Sequence, residues 1–236
     1  MPTRGRVRPE QVPSGTWVIV PAHNEVAVVR STVFGLSTHF KDIVVVDDGS
    51  SDETGAEARA AGATVVRHLR NLGQGAALST GLRFALGDQS ACVFVTFDAD
   101  GQHRPQDAAR MVEVQAASGC SVVFGTRFGE GSDVNVPAAR RLVLAAARRQ
   151  VNRSSGLQLS DARNGLRVLD RRAAELMRFR QRGMAHATEI AQIVGRHGLT
   201  HCEVPITVDY TEYARQKGQP MLNAVNILFD QYLRRR

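Results

Sequence analysis

The sequence predicts an α/β fold with a mostly parallel central sheet flanked by helices. Three observations carry that prediction. Short β-branched runs alternate with helical stretches of about 10–15 residues, the mark of βαβ units. Two of those runs end in acidic loops, and open parallel sheets bind ligands at the carboxyl ends of their strands. The 236 residues are 43% hydrophobic and 22% charged, enough apolar side chain for a real core in one α/β domain.

Residues 1–15 read as a flexible leader rich in Pro, Gly and Arg. Thr16–Val20 is a short apolar strand stopped by Pro21. A polar loop, His23–Glu25, leads into a helical pattern reaching about Phe40, and Ile43–Val46 is the second strand. Ser51–Ala61 opens on cap-type residues and continues alanine-rich, as a helix does. Thr64–Arg67 follows as a strand, Gly75–Leu86 as a helix, and Val93–Phe97 as a strand ending in acids. Pro105–Ser118 is helical and Ser121–Gly125 extended.

Beyond Gly125 the chain turns basic. Ala138–Arg153 is a basic helical segment, Asp161–Leu169 a polar turn with a short strand, and Arg171–Phe179 an arginine-rich helix. Thr188–His197 is helical, and Glu203–Val208 is a strand whose Pro205 marks a sheet edge. Leu222, Val225, Phe229 and Leu233 share one helical face in 220–236, which ends in Arg234, Arg235 and Arg236.

The net charge of +7 is almost all arginine, Lys41 and Lys217 being the only lysines. It favours anionic partners: nucleotide diphosphates, lipid phosphates, an anionic membrane surface or nucleic acid. Nucleic acid fits least, since no aromatic residues interleave the charges and Trp17 lies in a strand. Cys92, Cys120 and Cys202 are widely spaced in apolar runs and suit buried free thiols, with neither zinc nor disulfide spacing. The basic N-terminus is followed by no apolar segment, and no run approaches the ~18 apolar residues of a membrane span. A soluble or peripheral protein is expected.

Asp98-Ala99-Asp100 is the strongest local signal. Alternate residues at a strand end aim two carboxylates at one point, where they repel unless a cation joins them. Mg²⁺ or Mn²⁺, held by such carboxylates together with substrate phosphates, answers that repulsion; a capped turn with solvated acids is the other reading. Asp47-Asp48-Gly49-Ser50 repeats the logic, with Ser50, Ser51 or Asp52 available to cap the next helix. Asn71-Leu72-Gly73-Gln74-Gly75 sets two glycines before a helix, short of a full dinucleotide fingerprint.

Taken in order, Pro21-Ala22-His23-Asn24-Glu25, DDGSSDET, NLGQGAA, Asp98-Ala99-Asp100-Gly101-Gln102-His103 and Gly125-Thr126-Arg127-Phe128 resemble the family 2 glycosyltransferases of GT-A (Rossmann-like) fold. Within that family the likeness is to the dolichyl- or polyprenyl-phosphate mannose and glucose synthases. It continues through Asp161-Ala162-Arg163-Asn164-Gly165-Leu166-Arg167, Glu189, Val204-Pro205-Ile206 and Arg215–Gly218, nearly the whole chain after residue 16. The resemblance implies a metal-dependent, inverting transfer of a hexose from a UDP- or GDP-sugar to a polyprenyl phosphate. It implies a GT-A domain over 16–219, with a nucleotide-sugar half (16–125) and an acceptor half (126–219), then a basic amphipathic helix (220–236).

The same resemblance implies roles. Pro21, His23, Glu25, one of Asp47 and Asp48 (Asp48 preferred) and Gly73 would hold the nucleoside side of the donor. Asp98, Ala99 and Asp100 would bind the diphosphate through Mg²⁺ or Mn²⁺, with Gln102 completing the metal site. Arg127 and Arg215 would engage phosphate, joined by Arg140, Arg141 and Lys217 for the acceptor. A phosphate monoester has a second pKa of about 6 and is already ionised, so it needs positioning more than a base. Glu189 would orient it or act as base, or is an ordinary helix-face carboxylate.

One departure stands out: Arg215-Gln216-Lys217-Gly218-Gln219-Pro220 lacks the lysine that usually follows the glycine in relatives, leaving Lys217 as its substitute. No spanning helix follows either. The terminal helix would instead lie on the inner, cytoplasmic face of a membrane, or pack on its own domain or on a small membrane-protein partner. Two other functions fit parts of the pattern: transfer to a sugar hydroxyl or small phosphorylated acceptor, and a catalytically silent nucleotide-binding module.

Overall fold

The computed structural model describes residues 12–128, 148–179 and 186–209. The elements run β1 (Thr16–Ala22), α1 (Val29–Ser37), β2 (Asp42–Asp47), α2 (Thr54–Ala60), β3 (Thr64–Arg67), α3 (Gln74–Leu86), β4 (Val93–Thr96), α4 (Pro105–Ser118) and β5 (Val122–Thr126). They continue with α5 (148–155), β6 (Arg167–Asp170), α6 (Arg171–Leu176), α7 (His186–Arg196) and β7 (His201–Pro205). The leader through residue 11, the first part of the basic segment and the 220–236 helix lie outside the described residues.

The strands form one seven-stranded sheet in the order β3-β2-β1-β4-β6-β5-β7. β1 pairs in parallel with β2 and β4, β2 with β3, and β5 with β7. β6 is inserted antiparallel between β4 and β5. The carboxyl ends of β1, β2, β4 and β5 therefore share an edge with the amino end of β6. That edge gathers the motifs singled out in the sequence.

The near-continuous apolar strands are explained by burial on both faces. Ile19, Val44 and Val46 face a core shared with α3, α5, α6 and α7. Val18, Val20, Ile43 and Val45 face the opposite core, against α1, α2 and α4. Pro205 closes β7, which is an edge strand, as the sequence implies.

Some boundaries differ from expectation. α1 begins at Val29 because Glu25 first closes a turn, its carbonyl accepting from Val28 and Val29. α6 stops at Leu176, short of Phe179. Ser50 and Ser51 do not cap α2; the Asp52 carboxylate accepts the Thr54 N–H instead. The cysteines are not buried: Cys92 is exposed just before β4, and Cys120 and Cys202 are half-buried.

α3 lies close on β1 because Gly81 has no side chain. A Cβ there would stand 2.4 Å from Ile19 Cγ2 and 3.2 Å from Val46 Cγ2. Gly81→Ala gains helix propensity of roughly 1 kcal/mol. Overpacking outweighs that gain, for an expected net loss of about 1–2 kcal/mol. A lower urea midpoint at unchanged slope is the check.

Candidate active site

The loops after β1 and β2 are built as one piece. Asn24 takes a left-handed conformation, φ 54°, and its Oδ1 accepts the Ser51 N–H at 2.9 Å, while its own N–H donates to Ser50 Oγ at 3.0 Å. Glu25 N–H donates to Thr54 Oγ1 at 2.7 Å, and His23 Nδ1 donates to the Asp48 carbonyl at 3.0 Å. Pro21 is buried in β1 beside Val46. Asp47, fully buried, accepts the Ser50 N–H at 2.9 Å and lies 3.4 Å from Arg67 Nε.

Asp48 ties this piece to α3. Its carboxylate accepts the N–H groups of Leu72 and Gly73, at 2.9 and 2.7 Å, and pairs with His68 Nδ1 at 2.7 Å. The other His68 nitrogen meets Thr80 Oγ1 at 2.9 Å. Gly73, with φ 93°, turns the chain into α3, a conformation glycine adopts freely. Gln74, the first residue of α3, then reaches across to the end of β4.

At that end the two carboxylates of Asp98-Ala99-Asp100 have different surroundings. Asp98 Oδ1 accepts from Gln74 Nε2 at 2.8 Å, and Oδ2 lies 3.4 Å from His103 Nε2. Burial acts to raise its pKa, but the His103 hydrogen bond and the charges of His103, Arg167 and His186 bring it below the usual carboxylate value. Asp100 is the reverse case. Burial and the negative charge of Asp98 push its carboxyl upward, against a hydrogen bond from the Gln102 N–H at 3.1 Å. Gln102 also donates from its amide to Asp100 Oδ2 at 2.7 Å. Ala99 is buried, its carbonyl bonded by Thr32 Oγ1 at 3.2 Å.

This arrangement fits a hard divalent cation. Asp100 is a carboxylate whose charge Gln102 and His103 offset only in part, and the Gln102 side chain beside it is a second oxygen source if the amide is turned. Among the described residues no three His, Cys, Asp or Glu side chains converge into a self-sufficient metal cage. An ion here would draw its remaining ligands from substrate phosphates and water, as Mg²⁺ sites commonly do.

The far side of the edge is a second charged unit. Arg127, just past β5, grips Asp161 with Nε to Oδ2 at 2.6 Å and Nη2 to Oδ1 at 2.9 Å. Glu203 of β7 holds the same turn, accepting the Ser160 N–H and hydroxyl at 2.9 Å. Asp161 is 3% exposed; burial would raise its pKa, but Arg127 holds it below the ordinary range. Its stabilising effect is therefore complete above the unfolded value of about 3.9 and is lost as pH falls through the lower folded value. Asp161→Asn is expected to cost about 2–3 kcal/mol at neutral pH, below the fully buried range because Arg127 is 21% exposed. Urea midpoints of variant and wild type should converge as pH drops below about 4.

Behind both carboxylate units lies Arg167, 1% exposed in β6, its pKa lowered by burial to about 10 and supported by Asp98 and Asp161. His186, buried at the start of α7, stacks edge-on with Phe179 and contributes to the field at Asp98. Glu189 stands half-buried in the first turn of the same helix.

The structure thus brings Pro21, His23, Glu25, Asp47, Asp48, Gly73, Asp98, Ala99, Asp100, Gln102 and Arg127 to one sheet edge. Arg127 differs from expectation in being held in an ion pair with Asp161. Arg140, Arg141, Arg215 and Lys217 lie outside the described residues. Sequence reasoning assigned no role to Gln74, His103, Gly165, Arg167 or His186. Except for His186, these residues lie within motifs already noted: Gln74 in the glycine turn before α3, His103 at the end of the acidic motif after β4, and Gly165 and Arg167 in the stretch 161–167.

Comparison with known proteins agrees with the fold. Residues 17–177 match the model described as Glycosyl transferase family 2. A UDP-N-acetylglucosamine–dolichyl-phosphate N-acetylglucosaminyltransferase of Methanococcus voltae is 28% identical over 234 residues, covering 90% of this chain and 93% of that protein. An undecaprenyl-phosphate mannosyltransferase of Micrococcus luteus is 31% identical over 210 residues, covering 84% and 85%. Among solved structures, glucosyl-3-phosphoglycerate synthase of Mycobacterium tuberculosis, in complex with Mn²⁺ and UDP-glucose, superposes with a TM-score of 0.67 at 22% identity. It covers 94% of this chain and 79% of that one, a likeness of fold.

Proposed function

The chain belongs to glycosyl transferase family 2, and from that premise we propose that it moves a hexose from a UDP- or GDP-sugar to a polyprenyl phosphate with inversion. The observation that carries the reading is the unequal acid pair. Asp98 is engaged by Gln74 and His103, while the charge of Asp100, at the mouth of β4, is offset only in part by Gln102 and His103. The acceptor class is supported by the two relatives, whose names state dolichyl and undecaprenyl phosphate.

In this reading Pro21, His23, Glu25, Asp48 and Gly73 line the nucleoside end, with Asp47 holding the turn beneath. Asp98 and Asp100 face the diphosphate, and Asp100 with Gln102 would hold Mg²⁺ or Mn²⁺. Bound there, such an ion offsets the negative charge that develops on the leaving diphosphate. The acceptor phosphate arrives ionised and attacks the anomeric carbon from the opposite face, so orientation by Glu189 and the arginines matters more than proton removal. Arg127 must share its guanidinium between Asp161 and a phosphate.

The last described stretch before Arg215 is anchored at this site. Asp209 N–H donates to the Gln102 carbonyl at 2.9 Å, and the Asp209 carboxylate is gripped by Arg104 through two bonds of 2.7 and 2.6 Å. Arg215 follows six residues on in the sequence. The donor half (16–125), acceptor half (126–219) and basic helix (220–236) belong to the same proposal, with the helix lying on the cytoplasmic face of a membrane. Among the described residues no helix is long and apolar enough to cross one.

The test is a thermal-shift panel of UDP-, GDP- and dTDP-sugars with Mg²⁺, Mn²⁺ or chelator, then transfer assays on polyprenyl phosphate and small phosphorylated acceptors. One nucleotide class should stabilise the chain only with metal; at 100 times Kd the gain is about 2.7 kcal/mol. Transfer to the lipid phosphate is expected. Transfer only to a small phosphorylated acceptor overturns the acceptor class, and no shift with any donor overturns the reading.

A further inference from the structure

Arg167 stands in the middle of the sheet, opposite Thr96 of β4 and Phe124 of β5. A guanidinium buried there is a poor structural choice, because its five N–H donors need partners. Its Nε and Nη2 have no hydrogen-bond partner among the described residues, and Nη1 reaches the Gly165 carbonyl only at 3.4 Å. What the position does supply is a positive charge in a low-dielectric interior, where charge acts far more strongly than in water.

The charge acts on two acids, Asp98 and Asp161, of which Asp161 is already paired with Arg127. Asp98 and Asp100 approach one point from alternate positions and repel each other. Gly165, two residues before Arg167, lies so close under Asp98 that a Cβ would be 2.0 Å from Oδ2. The Gly165 carbonyl is clamped from two sides, by Arg167 and by Thr96 Oγ1 at 2.7 Å. We propose that Arg167 is a positioning residue of the donor site, offsetting Asp98 with buried charge and fixing through Gly165 the edge against which that carboxylate rests. The inference deepens the donor-site reading and rests on it.

Two arms test it. In the first, metal-dependent nucleotide-sugar binding is measured for wild type, Arg167→Gln, which keeps a donor for the Gly165 carbonyl, and Arg167→Lys, which keeps the charge. Arg167→Gln should bind about tenfold more weakly, equal to 1.4 kcal/mol, with Arg167→Lys close to wild type. Wild-type binding by Arg167→Gln, or equal weakening in both variants, overturns the proposal. The second arm needs no ligand: thermal midpoints of Arg167→Gln, Asp98→Asn and the double variant. The double variant should lose less than the sum of the singles, and should fold even where Arg167→Gln alone does not. Additive losses, or a double variant that stays unfolded, overturn it. A wild-type chain that binds no donor sinks the donor-site reading instead, and the ligand-free cycle still decides the role of Arg167.

Discussion

Asp100→Asn is expected to lower metal-dependent donor binding and transfer by about 10²–10³-fold, roughly 3–4 kcal/mol, while leaving the ligand-free fold at least as stable as wild type. The two halves of that expectation share one cause. Burial and the neighbouring Asp98 disfavour the charge of Asp100 in the folded protein, so removing it relieves a cost. The same partly offset charge is what a divalent cation would use. Asparagine keeps the shape and the Gln102 contact but offers a far weaker ligand. Thermal midpoints with and without nucleotide-sugar and Mn²⁺ separate the effects. A variant that retains the metal-dependent shift, or collapses without ligand, would contradict this account of the acid pair.

Gly165→Ala is the second large effect. A methyl group would sit 2.0 Å from Asp98 Oδ2 and 2.6 Å from its Cγ, so the carboxylate or the start of β6 must move. Asp98 is short and already bonded to Gln74, which leaves it little room to rotate away. A displacement near 1 Å at a reacting site costs on the order of 10²-fold in rate, and overpacking adds about 1–3 kcal/mol of instability. Donor affinity by titration and urea unfolding read the two parts independently. Full donor affinity in this variant would mean that the position of Asp98 is irrelevant to the donor.

Much of this site was legible in the sequence because its motifs are local. Each acidic pair follows its own strand, and parallel strands deliver their carboxyl ends to one edge whatever their order. Thr64–Arg67 and Pro105–Ser118 carry clear β-branched and Pro-N1 signals, and both appear with the expected limits. The place of β6 was hidden, since nothing local says that Arg167–Asp170 enters backwards between β4 and β5. Its buried arginine also breaks the apolar pattern of a central strand. For the same reason Gly165 and Arg167 could be noted as parts of a motif but not placed against Asp98, 67 and 69 residues earlier in the chain. The Arg127–Asp161 pair was invisible on similar grounds, each residue belonging to a separate motif 34 positions apart.

The antiparallel insertion of β6 also bears on how the chain assembles during synthesis. Among the described strands β1 to β4 pair only with one another and with β6, so that part of the sheet can begin forming once residue 96 has emerged. β5 has no such early companion: its ladder partners, β6 and β7, both follow it in the chain. At roughly 5–20 residues per second it waits some seconds as an unpaired apolar strand, a state prone to aggregation. β6, which joins the two parts of the sheet, also sets Gly165 against Asp98, so a nascent chain gains the geometry around that carboxylate only once β6 has emerged.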